Sequence, residues 1–226
     1  MKLPVYHRIF GYDLARLPNR HLAALEEGVE TIEQARQRSG ATIGYPGWGV
    51  IYHLLLAHLD RSRYEIVVET DTNWGCTTIV LAQALVDAGC AGRVITFELD
   101  PANADIARTN ITTAGLEKRV ELHVGDNRIL MSDALRTETG LRVAFLDASH
   151  LYDDVLSEFE AILPKLADDA LVLFDNTYRI AEEHENQRVN GALKTIKARH
   201  GGNLINLQFV SWYTPGFALW QRQPAL

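Results

Sequence analysis

Basic residues are fewer than acidic residues in this chain, and lysine and arginine form no long run. Among 226 residues, 22 Lys and Arg stand against 29 Asp and Glu, which gives a formal net charge of -7 at pH 7. A protein that neutralises many phosphates needs a concentrated basic surface. The composition therefore argues against a nucleic acid as substrate or partner.

Cysteine is rarer still, and long apolar runs are missing. The two cysteines, Cys76 and Cys90, are too few for a disulfide framework and do not form a metal-type CxxC pair. No stretch approaches the ~20 apolar residues that cross a bilayer, and the opening MKLPVYHRIFGYDL contains no apolar signal segment. We therefore expect a cytoplasmic protein without membrane contact. The sequence leaves the oligomeric state open, a homo-oligomer included.

The residues that are abundant predict an α/β fold. An apolar content of 47% is enough to bury a full core in a chain of this length. Residues 1–60 have helical patterning and predict an N-terminal helical cap, with candidate helices at 20–37 and 50–59. Residues 61–226 alternate strand and helix patterns and form the main domain. In the turn-like stretch 44–49, two aromatic residues could stack on a flat substrate.

The most informative stretch is IVVETDTNWGCTT, residues 66–78. Its β-branched start is typical of a parallel strand that is buried on both faces, whereas residues 77–88 repeat apolar side chains at helical spacing. The loop between the two elements would lie at the carboxyl end of the strand, where open α/β sheets bind their ligands. Amide groups at the helix start would favour a carboxylate or phosphate of that ligand.

Acidic residues follow the next two predicted strands. Glu98 ends the strand at 93–99 and lies about twenty residues after Gly75, a spacing at which a carboxylate can accept hydrogen bonds from both ribose hydroxyls. The alternative is a solvated carboxylate at a strand end. Asp126 follows the strand at 120–124 and either accepts from an adenine amine or caps the next helix.

The fourth and fifth predicted strands also deliver carboxylates to this edge of the sheet. Residues 141–147 end in Asp147, and residues 170–175 end in Asp175, which Asn176 follows. For the two aspartates, the alternative to a shared site is that each simply caps a strand end. Because neighbouring carboxylates repel each other, their convergence would favour a bound cation.

The end of the chain predicts an antiparallel hairpin. The candidate strands 203–210 and 217–222 are joined by only a few residues, whereas a parallel crossover needs a dozen or more. A mostly parallel sheet with one reversed strand near its edge is not the usual layout of a nicotinamide-dependent dehydrogenase. The chain also lacks the three-glycine G-x-G-x-x-G fingerprint of that class.

Over roughly residues 40–222, this order of motifs resembles the class I S-adenosylmethionine-dependent methyltransferases. The resemblance rests on VVETDTNWGCTT, ITFELD, HVGD, VAFLDASH, LVLFDNT and the closing hairpin. Within the class, the chain looks most like the cation-dependent O-methyltransferases of the catechol and caffeoyl-coenzyme A type, and somewhat like the macrolide-sugar O-methyltransferases. The resemblance implies a Rossmann-like seven-stranded sheet, mostly parallel, with helices on both faces and the catalytic domain at 61–226.

The resemblance also implies a set of site residues. S-adenosylmethionine would be bound by residues from the ends of the first four strands: Glu69, Asp71, Thr72, Gly75, Thr77, Thr78, Glu98, Asp126 and Asp147. In the cation-dependent enzymes an aspartate after the fourth strand and an Asp-Asn pair after the fifth hold a divalent ion, which matches Asp147, Asp175 and Asn176. Such oxygen ligands suit Mg²⁺, which can lower the pKa of a substrate hydroxyl.

His150 is the candidate general base, together with Asp147 in the catalytic set. It follows Asp147 by three residues, where catechol-type relatives have a lysine near the reacting hydroxyl, and an imidazole with a pKa near ~6.5 can take the hydroxyl proton. The alternative is a histidine at a helix start that bonds to the backbone. The acceptor would be a small molecule that carries a hydroxyl group.

Asp71 is the departure from the family pattern. Family members usually have glycine at this position, beside the methionine end of the cofactor, so an aspartate adds bulk and negative charge and is strained if the site requires a positive φ. Asp71 either weakens cofactor binding or re-routes the loop. The alternative functions are therefore a catalytically impaired S-adenosylmethionine-binding or regulatory protein and a metal-independent methyltransferase.

Overall fold

A computed structural model describes residues 47–177, 187–207 and 216–222. The helix predicted at 20–37 lies outside these residues. Within them, strands and helices alternate as predicted. In chain order the elements are α1 (Gly47–His58), β1 (Tyr64–Thr70), α2 (Cys76–Asp87), β2 (Ala91–Glu98), α3 (Pro101–Thr113), β3 (Val120–Val124), α4 (Asn127–Ala134), β4 (Leu141–Leu146), α5 (Tyr152–Ile162), β5 (Leu166–Asp175), α6 (Val189–His200), β6 (Asn203–Leu207) and β7 (Phe217–Gln221).

The strands form one seven-stranded sheet in the order β3-β2-β1-β4-β5-β7-β6. The first five strands pair in parallel, with Val68 of β1 opposite Ile95 of β2 and Ala144 of β4. Strand β7 runs antiparallel to both β5 and β6. The predicted mostly parallel sheet with an antiparallel terminal hairpin is therefore confirmed.

The core lies on both faces of the sheet, because successive residues of a strand point to opposite sides. On one face Val67 packs in a cluster with Ile51 of α1 and Leu81 of α2. On the other face Val68 packs in a cluster with Phe159 of α5 and Leu193 of α6. Helix α1, which belongs to the predicted cap, thus shares the core of the sheet, and the boundary at residues 60 and 61 stays a prediction.

Two local predictions were wrong. Residues 47–49 begin α1 instead of a turn, and Trp48 is buried in the core, so its ring is not available to stack on a substrate. The amphipathic pattern from about Tyr152 to Leu166 predicts one helix, but α5 ends at Ile162, where a short 3-10 turn containing Pro164 leads directly into β5. Proline has no amide hydrogen to continue the helical ladder.

The amino-terminal edge of the sheet is closed by a buried ion pair. Arg142 of β4 donates to Glu65 of β1 at 2.5 Å and to the carbonyl of His58 at 2.8 Å. Both side chains of the pair are less than a tenth exposed. This edge lies opposite the predicted ligand site. No helix among the described residues is long and apolar enough to span a bilayer.

Candidate cofactor and catalytic site

The carboxyl ends of β1, β2, β4 and β5 meet at one edge of the sheet, as their parallel pairing requires. Each of these strands has an acidic residue within its last two positions or directly after its end. These residues are Glu69, Glu98, Asp147 and Asp175. The sequence-based prediction of a shared carboxylate edge is therefore confirmed, and the loops that follow the strands form the site.

The loop after β1 passes through left-handed backbone conformations at three positions. Asp71 has φ 67°, Asn73 has φ 48° and Gly75 has φ 82°. A Cβ added to Gly75 would lie 3.3 Å from the backbone and side chain of Ala107, so α3 packs closely against the loop. The position of Asp71 thus has the positive φ that favours glycine, and aspartate is one of the few other residues that adopt it.

Two asparagines of α3 hold the loop in place. Asn110 donates from its amide nitrogen to the carbonyl oxygen of Trp74 at 2.8 Å. The indole of Trp74 donates to the side-chain oxygen of Asn103 at 3.2 Å. These two bonds, with the close packing at Gly75, fix the loop before any ligand binds.

Glu98 faces the loop that contains Gly75. Its Oε2 accepts a 2.6 Å hydrogen bond from the amide of Asn73, and its Oε1 accepts from the amide of Asp100 at 2.8 Å. The side chain is 3% exposed. The predicted placement beside the loop is confirmed, whereas the role of Glu98 in binding a ribose stays a prediction.

Glu69 lies fully buried beneath the same loop. Its Oε2 accepts hydrogen bonds from Thr78 at 2.5 Å and from Thr96 at 2.7 Å, and its Oε1 has no partner among the described residues. Burial raises the pKa of Glu69 to about 8. Thr72 completes this group with a 2.6 Å hydroxyl contact to Thr96. The group ties β1, β2 and α2 together, and Thr96 was not predicted from the sequence.

Thr77, the remaining predicted residue of this region, lies in the first turn of α2. Its side chain is 3% exposed, and its Oγ1 has no hydrogen-bond partner among the described residues. The first turn of α2 contains no acidic residue, and Gly75 at the N-cap provides no side-chain cap. The helix start therefore keeps the partial positive charge that would favour an anionic group.

A cleft of about 250 Å³ opens beside these strand ends. Its lining includes Asp71, Leu99, Asp126, Asn127, Ser149 and Glu158. Asp126 caps α4 by accepting from the amide of Arg128 at 2.9 Å, and its carboxylate also pairs with the Arg128 guanidinium at 2.6 Å. The capping alternative for Asp126 is thus realised, and its side chain also borders the cleft. Its contact with an adenine stays a prediction.

Glu158 is a buried acid that the sequence analysis missed. It projects from α5 and accepts hydrogen bonds from Asn127 at 2.7 Å and from Thr70 at 3.1 Å. The same Thr70 hydroxyl accepts from the backbone amide of Asp147 at 3.0 Å. Glu158 therefore links the floor of the cleft to the loop that carries Asp147.

Asp147 and Asp175 lie in hydrogen-bond contact with each other. His150 lies beside them with Nδ1 3.9 Å from Oδ1 of Asp147, and its Nε2 accepts a 2.6 Å hydrogen bond from the side-chain amide of Asn176. Both His150 and Asn176 have positive φ, 58° and 55°. The four residues that were predicted to form the catalytic and metal site are therefore neighbours.

Burial and mutual contact perturb the pKa values of the two carboxyl groups, Asp147 and Asp175. Burial, followed by the negative charge of Asp175, raises the pKa of Asp147 well above its ordinary range. Burial also raises the pKa of Asp175, whose Oδ1 has no partner among the described residues. The pair must therefore share a proton or hold a cation. No group of three or more His, Cys, Asp and Glu in the described part of the chain is arranged to hold a metal ion.

Comparison with known proteins agrees with this geometry. Residues 68–177 match the family model of a methyltransferase domain. The catechol O-methyltransferase of Mycobacterium tuberculosis is 32% identical over 136 residues, which cover 58% of each chain. The catechol O-methyltransferase of Niastella koreensis is 28% identical over 153 residues, or 66% of each chain. The chain thus matches less than two thirds of the length of these curated relatives.

Solved structures share the whole fold. The O-methyltransferase of Bacillus cereus in complex with S-adenosylhomocysteine has a TM-score of 0.72 at 22% identity and covers 95% of this chain and 96% of its own. TomG of Streptomyces achromogenes, in complex with S-adenosylmethionine, has a TM-score of 0.68 at 22% identity, with 91% and 90% covered. At these identities the likeness establishes the fold.

The chain thus has the fold of these methyltransferases, and its residues 68–177 match the model of a methyltransferase domain. In sequence, the chain is similar to bacterial catechol O-methyltransferases. The alternative of a nicotinamide-dependent oxidoreductase is not supported.

Proposed function

We propose that this protein transfers the methyl group of S-adenosylmethionine to a hydroxyl group of a small molecule. One observation carries the proposal: the loop of Asp71 to Gly75, Glu98 and the Asp147–Asp175 pair come together at one edge of a methyltransferase fold. The catechol O-methyltransferases among its relatives support oxygen as the methyl acceptor. The acidic composition favours a small molecule over a nucleic acid as the substrate.

The cofactor would occupy the cleft beside Glu98. The ordered loop after β1 and the open start of α2 suit a ligand with an anionic end, while Leu99 and Phe97 offer apolar surface in the same cleft. Three of the predicted cofactor residues would act less directly, because Glu69, Thr72 and Thr78 are buried and bonded to one another or to Thr96. We propose that these three shape the loop that contacts the cofactor.

A divalent cation fits the Asp147, Asp175 and Asn176 set. Two carboxyl groups in contact, with the Oδ1 of Asp175 unpartnered and buried, form an arrangement that a cation would stabilise. The amide nitrogen of Asn176 is used by His150, and that bond does not occupy its side-chain oxygen. When bound, Mg²⁺ would lower the pKa of a substrate hydroxyl and fix its orientation.

His150 is neutral at pH 7, because burial and the positive charge of Arg188 lower its pKa to about 4. Its Nε2 accepts from Asn176, so the proton of the neutral ring sits on Nδ1, the nitrogen nearer to Asp147. To accept a proton from a substrate at Nε2, the ring must release Asn176. We therefore propose His150 as a base that acts only once a bound substrate has displaced that contact.

Methyl transfer from radiolabelled S-adenosylmethionine to a panel of catechols, phenols and aliphatic alcohols tests this function. We expect transfer to at least one hydroxyl compound with added Mg²⁺, and its loss in excess EDTA. The Asp175→Asn variant should lose Mg²⁺-dependent turnover, whereas Asp168→Asn, an exposed change on the same strand, should not. Full activity in excess EDTA would contradict the proposed role of the cation. Absence of both methyl transfer and donor binding would contradict the proposed function.

A further inference from the structure

Asp71 directs its side chain into the cofactor cleft. Its neighbours in sequence, Thr70 and Thr72, are both fully buried, and the left-handed backbone at Asp71 turns the chain between them. The Asp71 side chain lines the cleft together with Phe97 and Ala148. A carboxyl group therefore lies in the wall of the cleft, at a position whose positive φ is one that glycine adopts most readily.

The charge of Asp71 is not compensated by the described residues. Its carboxyl contacts Glu98 and lies within electrostatic range of Glu158, and no described Lys, Arg or His forms an ion pair with it. Burial, followed by the negative charge of Glu98, raises the pKa of Asp71. The cleft thus contains an acidic group whose ionised form is stabilised by a cation that enters beside it.

Two other carboxylates of the same cleft lack this property. Asp126 and Asp154 both pair with Arg128, at 2.6 Å and 3.2 Å. The hydrogen bond from the Arg128 guanidinium lowers the pKa of Asp126, the direction opposite to that at Asp71. Asp71 thus lines the cleft without an ion pair among the described residues, whereas Arg128 neutralises Asp126 and Asp154.

We infer that Asp71 is a specificity-determining residue whose unpaired carboxylate makes the cleft bind the cationic methyl donor more tightly than the demethylated product. This inference rests on the proposed function. The donor and the product differ by one methyl group and by the positive charge of the sulfonium, so a negative charge in the cleft distinguishes the two, whereas apolar contacts and hydrogen bonds to the ribose do not. The consequence is weaker inhibition by the product.

The expected size follows from one charge interaction in a partly solvated cleft. Even at the dielectric constant of bulk water, two unit charges about 4 Å apart attract each other by about 1 kcal/mol, and loss of that attraction changes an affinity ratio about fivefold. The Asp71→Asn variant should therefore lower the ratio of the product Kd to the donor Kd about fivefold, mainly by weakening the donor. Asparagine suits this test because it also tolerates a positive φ.

Calorimetric titration of the full chain with S-adenosylmethionine and with S-adenosylhomocysteine at pH 8 measures both constants. The matched control is Asp154→Asn, which changes a carboxylate of the same cleft that already pairs with Arg128; it should leave the ratio within twofold of wild type. Asp71→Gly serves as a second variant, and thermal unfolding checks that each variant is folded.

A reduced ratio in both Asp71 variants, with the control unchanged, supports the inference. An unchanged ratio in a folded Asp71→Asn that still binds both ligands overturns it and leaves the proposed function standing. If the wild-type protein binds neither ligand, the proposed function fails, and the inference fails with it.

Discussion

Replacement of Glu158 is the sharpest test of how the fold supports the site. In the Glu158→Ala variant, the side-chain amide of Asn127 loses an acceptor in a partly buried environment, and the hydroxyl of Thr70 loses one in a fully buried environment. Each buried group left without a partner costs ~1 to 3 kcal/mol. We expect the free energy of unfolding to fall by about 3 kcal/mol in total, with Glu158→Gln losing about a third of that because it keeps one acceptor.

The same residue makes stability depend on pH. Burial raises the pKa of Glu158 from its ordinary value of 4.5 to about 7. Between these pH values the folded protein keeps a proton that the unfolded chain has lost. The stability contributed by the protonated side chain is therefore complete below pH 4.5 and is lost as the pH rises through 7. The difference corresponds to about 3 kcal/mol of unfolding free energy. Glutamine does not titrate and removes the effect.

Urea unfolding followed by circular dichroism at pH 5 and pH 8 measures both effects. Relative to Glu158→Gln, the wild-type protein should lose about 2.5 kcal/mol of stability between the two pH values, because part of the effect is already lost at pH 5. Glu160→Gln, an exposed change on the same helix, is the matched control and should follow the wild type. An equal difference between wild type and Glu158→Gln at both pH values would refute the assignment of a buried, proton-holding Glu158.

Two further predictions concern packing on either edge of the sheet. Gly75→Ala should lower the free energy of unfolding by ~1 to 3 kcal/mol and weaken S-adenosylmethionine binding, because the backbone there has a positive φ and an added Cβ lies 3.3 Å from Ala107. Gly140→Ala is the control, because Gly140 has a similar φ but no atom close to an added Cβ. Arg142→Ala should cost ~3 to 5 kcal/mol in urea unfolding by leaving Glu65 buried without its partner, yet leave the donor Kd unchanged, because this pair lies at the opposite edge.

Local patterns were sufficient to predict most of the fold. Strand β3 matches the predicted residues 120–124, because a short β-branched and apolar segment between turn residues has few alternatives. Strand β5 begins four residues before its predicted start at Ala170, since the segment from Leu166 includes Asp168 and Asp169 and has no strand pattern of its own. Its pairing is set by Leu141 of the neighbouring strand, which only the tertiary structure reveals.

The placement of site residues was predicted where it follows directly from the strand pattern, as at Glu98 at the end of β2 and Asp147 just after β4. Glu158 was missed, although it lies on the buried face of α5 between Val155 and Phe159, and an acid among apolar residues at helical spacing is a readable signal. The conformation of Asp71 was beyond the sequence, because a positive φ at a residue other than glycine depends on how the surrounding loop packs.

A crystal structure of the protein grown with S-adenosylhomocysteine and Mg²⁺ is the most direct test of the central claim that these strand ends form a methyl-transfer site. We expect density for the adenosyl group in the cleft, with its ribose on Glu98, and an ion bound by Asp147, Asp175 and Asn176. A nucleoside bound elsewhere, or an adenosyl group in the cleft with Asp147 and Asp175 still joined by a proton and no ion between them, would contradict the account.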